Sequence, residues 1–156
     1  MKSLLLIHLS LTSTLVAHAQ LDESKEIYLE ALNQYTLQID SLYAGNRNHE
    51  GNTIYLELPG SLDGLPNSLN GYQIVALTRE NIKQVYRSNN NSLIHTKLFP
   101  MKVERGRIVV SFIPYSGVRK WNGNLNLSLG NGVQIYFKHD CQKESFEYEK
   151  VVSWGI

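Results

Sequence analysis

The stretch IVVSFIPY, from Ile108 to Tyr115, decides how this chain must fold. Its first six residues place apolar side chains on both faces of an extended strand, because successive side chains in a strand point to opposite faces. A strand that is apolar on both sides must be covered on both sides. The stretch therefore predicts a central strand of a β-sheet.

Further strands are predicted on both sides of this one, from alternating or continuous apolar residues bounded by turn residues. Gly130-Asn131-Gly132 is typical of a tight hairpin turn. In the last predicted strand, Phe146, Tyr148, Val152 and Trp154 are expected on one face. The predicted strands are Thr53 to Leu58, Tyr72 to Leu77, Leu93 to Val103, Asn124 to Leu129, Val133 to Asp140 and Ser145 to Trp154.

Two helices are predicted. Residues 22–44 carry an apolar stripe at helical spacing (Ile27, Ala31, Tyr35, Ile39). A short helix is predicted from Arg79 to Arg87, after the capping residue Thr78. Between the first two strands, residues 59–71 are rich in Gly and Pro and indicate a long loop. This loop is either a functional segment or a connector that tucks Leu62, Leu65 and Leu69 beneath it.

These elements predict an α+β fold: a long N-terminal amphipathic helix packed on a curved antiparallel sheet of about five to seven strands, with one short second helix. The element order resembles the cystatin-like and nuclear-transport-factor-like folds. The segments IYLEALNQY (27–35) and LPNSLNGYQI (65–74), with the closing aromatic strand, also resemble small secreted bacterial proteins without an assigned activity. Neither resemblance implies catalytic residues.

The first nineteen residues have the three-part pattern of a secretory signal peptide. Lys2 is followed by a mostly apolar stretch and then by Ala17-His18-Ala19, which predicts cleavage before Gln20. A buried N-terminal helix is the alternative. The prediction is thus a signal peptide over 1–19 and a single domain over 20–156, secreted or periplasmic, with no membrane span.

Charge is balanced overall but divided along the chain. The protein has 15 basic and 14 acidic residues, and residues 79–120 alone carry nine bases against two acids. The overall balance argues against nucleic acid as a partner. The basic segment either solvates the strands or forms a patch for an anionic partner, such as an acidic protein or a polysaccharide. The single cysteine, Cys141, excludes an internal disulfide and is expected to be buried.

No motif for phosphate binding, hydride transfer or serine hydrolysis occurs. His139 and Cys141 would share one face of a strand, but their spacing is typical of a strand that runs into a turn. His95 alternates with Lys97 and is expected to face solvent. The sequence therefore assigns no catalytic residue, no metal ligand and no cofactor.

A loop is predicted from Tyr115 to Gly123, and it concentrates the residue types found in binding hot spots. Tyr115, Arg119, Lys120 and Trp121 are the predicted binding residues. Trp121 either contacts a partner or closes the end of the sheet core.

The leading hypothesis is a secreted or periplasmic, non-enzymatic domain that binds a protein or glycan partner, with the basic segment 79–120, the loop 59–71 and the loop 115–123 as the contacts. One alternative is a small enzyme or ligand-binding protein with a pocket between helix and sheet, in which Tyr28, Tyr35, His95 or His139 supply polar groups. Another is a structural or assembly subunit with an unpaired strand edge.

Overall fold

The computed structural model describes residues 23–39, 52–60, 62 and 64–155. The predicted signal peptide lies outside the described residues, as do positions 22 and 40–44 of the predicted first helix. Helix α1 covers residues 23–39, and the other elements have these bounds: β1 Thr53–Glu57, β2 Ser68–Leu69, β3 Tyr72–Leu77, α2 Ile82–Ser88, β4 Ser92–Leu98, β5 Lys102–Glu104, β6 Arg107–Arg119, β7 Leu125–Leu129, β8 Gly132–Asp140 and β9 Ser145–Trp154.

Strand β6 is the centre of a nine-stranded sheet whose main order is β2-β3-β1-β4-β6-β8-β9. It spans 13 residues and pairs with β4 and β5 along one side and with β7 and β8 along the other. Val109, Val110 and Phe112 are fully buried within it. The central position predicted for IVVSFI is confirmed.

The predicted antiparallel sheet of five to seven strands is wrong, because the sheet has nine strands and is mixed. Strand β1 pairs in parallel with both β3 and β4. The physical reason is two crossovers: residues 58–71 connect β1 to β3, and α2 lies in the connection from β3 to β4. Parallel strands need such a crossover, and a helix is its usual form. The overall α+β character remains, with antiparallel pairs in the majority.

The apolar stripe of α1 is buried against one face of the sheet. Ile27, Ala31 and Leu32 join a core with residues of β1, β4, β6 and β8. The Tyr35 ring stacks on Phe112, with centroids 4.3 Å apart and planes inclined by 7°. The stripe read from the sequence is therefore confirmed for the described helix, although the fold around it differs from the prediction.

Helix α2 covers part of the opposite face. Its Tyr86 is fully buried, and the neighbouring side chains Leu77 and Leu93 are buried as well. Before the helix, the Thr78 hydroxyl accepts hydrogen bonds from the amides of Glu80 and Asn81, each at 3.2 Å. Thr78 thus orders the turn that precedes the helix, which begins at Ile82 after the N-cap residue Asn81 and has no side-chain cap, so the predicted capping of a helix from Arg79 is wrong.

The predicted hairpin at Gly130-Asn131-Gly132 is wrong. Strands β7 and β8 run in the same direction, one after the other, along β6. Residues 130 and 131 connect them without reversing the direction of the chain. The Gly130 amide donates a hydrogen bond to the Pro114 carbonyl at 3.0 Å. The true hairpin turn lies earlier, between β6 and β7. Residues 115–119, predicted as part of a loop, belong to β6.

The face assignment predicted for β9 is also wrong in its second half. The register against β8 shifts between Tyr136 and Phe137, so that Tyr148 lies opposite Phe137 while Val151 lies opposite Ile135. This bulge reverses the alternation. Phe146 and Val151 pack against the core, whereas the Trp154 ring lies over Gly132.

The long segment 59–71 is a connector that contains strand β2. Its Leu62, Leu65 and Leu69 are partly buried against the core, which agrees with the connector alternative. The β2–β3 turn has positive φ at Asn70 and Gly71 (49° and 82°), the combination that two-residue hairpins favour.

Candidate functional site

The four polar side chains expected to share a helix–sheet pocket do not converge. The Tyr28 hydroxyl accepts a hydrogen bond from the Met101 amide at 2.8 Å, and the Tyr35 hydroxyl lies 3.4 Å from Oγ1 of Thr96. His95 lies on the opposite face of the sheet, against α2. His139 is exposed near the end of β8. No described site therefore unites them.

A cavity of about 580 Å³ does lie on the α1 face, beyond the described end of the helix. Tyr35, Ile54, Ile94, Thr96 and Val133 are among its lining residues. None of its described lining side chains carries a charge at neutral pH. Such a lining offers no carboxylate, imidazole or ammonium group for acid–base chemistry.

The densest polar cluster is built around His95, whose predicted solvent exposure is wrong. Its side chain is only 1% exposed. Nε2 lies 2.6 Å from Oε2 of Glu57, and Nδ1 lies 3.0 Å from the Tyr86 hydroxyl. Lys97 completes the cluster, with Nζ 3.3 Å from the same Glu57 oxygen. The parallel β1–β4 register brings Glu57 and Lys97 together, and no local sequence pattern shows that pairing.

Burial sets the protonation states in this cluster. It lowers the pKa of His95 against the opposing effect of Glu57, so the ring is neutral at pH 7. Burial, helped by the Glu57 charge, raises the pKa of Tyr86 to about 12. The consistent arrangement has the Tyr86 hydroxyl donating to Nδ1 while Nε2–H donates to Glu57. Both ring nitrogens are thus occupied, and the cluster fixes α2 to the sheet.

Tyr86 also positions the turn that follows α2. Its carbonyl accepts hydrogen bonds from the amides of Asn89 and Asn91, at 3.2 and 2.7 Å. Its hydroxyl lies against Gly117, where an added Cβ would come within 2.1 Å of the oxygen. The Asn91 carbonyl then accepts from the Arg119 amide at 2.8 Å. The α2–β4 turn is therefore held beside the end of β6.

The β6–β7 turn presents Trp121 to solvent. The turn is closed by the Lys120 amide donating to the Asn124 carbonyl at 2.8 Å and by the Gly123 amide donating to the Lys120 carbonyl at 2.9 Å. Gly123 has φ +86°, a conformation that side chains rarely adopt. Trp121 is 98% exposed. It therefore does not close the end of the sheet core, which removes that alternative.

Arg119 lies just beneath this turn and is only partly exposed. Its Nη1 donates to Oδ1 of Asn91 at 3.4 Å. Its Nε is buried and has no hydrogen-bond partner among the described residues. The Arg119 guanidinium beside the two turns therefore keeps N–H groups that donate to no described residue.

The structure brings together three of the four predicted binding residues. Arg119, Lys120 and Trp121 are consecutive at the end of β6. Tyr115 lies four residues earlier in the strand, about 13 Å from Arg119 at ~3.3 Å per residue. It sits instead beside Lys97, whose Nζ is 5.9 Å from the ring centroid. The asparagines of the two turns are neighbours of these residues. The sequence did not identify them as part of the site, although it contains the asparagine run 89–91.

The basic residues of segment 79–120 do not lie together on one surface of the protein. Lys102 and Arg107 lie at the end of β6 opposite to Arg119, and each pairs with an acid: Glu104 at 2.9 Å and Glu149 at 2.5 Å. Part of the positive charge is therefore neutralised locally. The part at the Trp121 turn comes from Arg119 and Lys120, for which the structure records no ion pair within the described residues.

Cys141 is exposed in the turn after β8, so its predicted burial is wrong. Strand β8 ends at Asp140, one residue before Cys141, so the cysteine side chain lies in the turn. Its Sγ lies 3.8 Å from Nδ1 of His139, and the His139 ring packs edge-on against Phe146. The described part of the chain contains no second cysteine and no disulfide.

The described ranges contain neither a cluster of metal ligands nor a membrane-spanning helix. There, no group of three or more His, Cys, Asp or Glu side chains is placed to hold a metal ion. The described helices are too short or too polar to cross a bilayer.

Comparison with known proteins gives no relative. No family model matches the chain, and neither curated proteins nor solved structures match it significantly.

Proposed function

We propose that this chain is an exported, non-enzymatic domain that binds a protein or glycan partner through its Trp121 tip. We define the Trp121 tip as Arg119, the turn 120–124 and the adjacent turn 89–91. The observation that carries the proposal is the 98% exposure of Trp121 on a hydrogen-bonded turn. Export to the periplasm or the medium rests on the signal-peptide pattern of residues 1–19.

An exposed Trp on an ordered turn supports a binding role. Trp and Arg are enriched in binding hot spots because they bury large areas and add hydrogen bonds. The backbone bonds of Lys120, Gly123 and Asn124 fix the turn before any partner arrives. A site that is already ordered loses less conformational entropy on binding.

The alternatives have weaker support. A small enzyme with its site in a pocket between helix and sheet would need an acid, base or nucleophile in that pocket, whereas His95 is buried between two partners and the cavity lining is uncharged. Assembly through a strand edge would use β9, the last strand of the sheet order. The bulge at Glu149 and the charged residues beside it disfavour pairing with another strand.

Crosslinked affinity capture tests the proposal. The mature protein is incubated with the native envelope or medium, crosslinked, and its partners are identified by mass spectrometry. The triple variant Arg119→Ala, Lys120→Ala, Trp121→Ala should lose a partner that the wild type retains.

The matched control removes two exposed cations and one exposed apolar residue elsewhere: Arg79→Ala, Lys102→Ala, Val103→Ala. It should capture the partner as the wild type does. Equal capture by the wild type, the tip variant and the control would contradict the proposal.

A further inference from the structure

The geometry points to an acidic glycan, a saccharide that carries carboxylate or sulfate groups, as the ligand of the Trp121 tip. This inference rests on the proposed function and names the partner class for the same site. Three features support it: the Arg119 guanidinium, which makes few hydrogen bonds, a set of exposed asparagine amides, and the planar apolar ring of Trp121.

Arg119 supplies the anion contact. Its guanidinium is partly covered by the two turns, and its only side-chain hydrogen bond in the described structure is the long one to Asn91, at 3.4 Å. A planar guanidinium binds carboxylate and sulfate oxygens through two parallel N–H groups. Partial burial weakens the competition from water and strengthens such a contact.

The sign of the charge at the tip is uniformly positive. Within the tip, residues 89–91 and 119–124, there are two cations and no Asp or Glu. The cations are Arg119 and Lys120. A neutral partner would leave this charge without a role, whereas an anionic one is attracted to it.

Asparagines surround the cations. Those in the two turns present amides that both donate and accept hydrogen bonds, as sugar hydroxyls do. The side chains of Asn90 and Asn124 are exposed and make no side-chain hydrogen bond within the described residues. Together with Asn91 and Asn122, they come from two separate segments of the chain.

Trp121 supplies the apolar contact. Its ring is free on both faces, and the C–H face of a pyranose ring is a planar apolar surface of similar size. A protein hot spot is normally ringed by further contacts that exclude water. Here the other side chains of the tip are amides and cations, which match a hydroxylated, anionic ligand better than an apolar protein surface.

Binding titrations with paired glycans test the inference. The probes are oligogalacturonate and dextran sulfate, with methyl-esterified oligogalacturonate and dextran as their neutral counterparts, all at a salt concentration near 0.15 M. At least one acidic probe should bind at least about tenfold more tightly than its neutral counterpart. Arg119→Ala and Trp121→Ala should each weaken that binding about tenfold or more, while Trp121→Phe should retain most of it.

The control variant Arg79→Ala, Lys102→Ala, Val103→Ala should bind the acidic probe as the wild type does. Polyglutamate is the control for charge alone and should bind at least tenfold more weakly than the acidic glycan. Equal binding of polyglutamate, or equal loss of binding in the control variant, would overturn the inference.

The inference and the proposed function can fail separately. If neutral and acidic glycans bind equally, or if no glycan binds while a protein is captured in a Trp121-dependent way, the ligand class is wrong and the binding site stands. If capture does not depend on Arg119, Lys120 and Trp121, the proposed function fails as well.

Discussion

The hydroxyl of Tyr86 lies 3.0 Å from Nδ1 of His95, and both side chains are almost completely buried. Glu57 holds the opposite nitrogen of the ring at 2.6 Å. This chain of hydrogen bonds joins α2 to β4 and β1 on the face away from α1. It also fixes where α2 ends, and hence where the turn 89–91 meets Arg119.

Gly117 should be intolerant of any side chain. In Gly117→Ala the new Cβ would lie 2.1 Å from the Tyr86 hydroxyl, so the ring or the strand must move. Overpacking of this kind costs about 1–3 kcal/mol of unfolding free energy, which denaturant titration measures. Gly60→Ala is the control, because nothing lies within 4 Å of the added Cβ. An unchanged stability of Gly117→Ala would show that Tyr86 does not occupy this position.

Acidification should destabilise the protein through His95. Its pKa in the folded state is lowered below the ordinary value of 6.5 by burial, so the unfolded chain binds the proton more readily. The stabilisation is complete above about pH 6.5 and is lost as the pH falls below that value, by at most about 1.4 kcal/mol per pH unit. Denaturant titrations between pH 7.5 and 5 measure this slope.

The variant His95→Gln tests whether that slope belongs to His95. It removes the titrating group while keeping a polar side chain, so the slope between pH 7.5 and 5 should become shallower than in the wild type. A His95 ring that titrates above 6.5 in an NMR pH series would contradict the account.

Tyr35 should anchor α1 to the sheet. Tyr35→Ala removes the ring stacked on Phe112 and should cost about 3–5 kcal/mol, the range for large-to-small core substitutions of aromatic residues. Leu37→Ala, two positions along the helix, should cost little because Leu37 is 49% exposed. Equal effects in denaturant titrations would place α1 in a different orientation.

The exposed side chains of Lys120 and Trp121 should be dispensable for stability. Trp121→Ala and Lys120→Ala remove exposed side chains and should change the unfolding free energy by no more than about 0.5 kcal/mol. Thermal and denaturant unfolding of both variants measure this. A loss of several kcal/mol in Trp121→Ala would mean that the indole ring supports the fold and is not reserved for a partner.

Much of the sheet was predictable because its signals are local. The apolar run 108–113, the alternation in β1 and the run 72–77 each led to a strand in the correct place. The parallel pairing of β1 was missed, although the order of β3, α2 and β4 is the signal of a crossover. The bulge in β9 and the shared direction of β7 and β8 on either side of Gly130 depend on pairing with partner strands. The sequence of a single strand therefore does not indicate them.

The candidate site was predicted only in part, for a similar reason. Composition alone pointed to Arg119, Lys120 and Trp121. Exposure decided between the two roles of Trp121, and exposure is a property of the folded chain. The placement of Asn91 beside Arg119 requires the β4–β6 pairing, and the buried position of His95 requires α2 to lie over β4.

The most direct test of the central claim is an NMR titration that follows the indole N–H signals. The protein has two tryptophans, so these signals are few and can be assigned by substitution. Addition of the acidic probe that binds, oligogalacturonate or dextran sulfate, should shift the Trp121 signal and leave that of Trp154 in place, because only Trp121 belongs to the proposed site. A saturating shift of Trp154 with Trp121 unmoved would contradict the account.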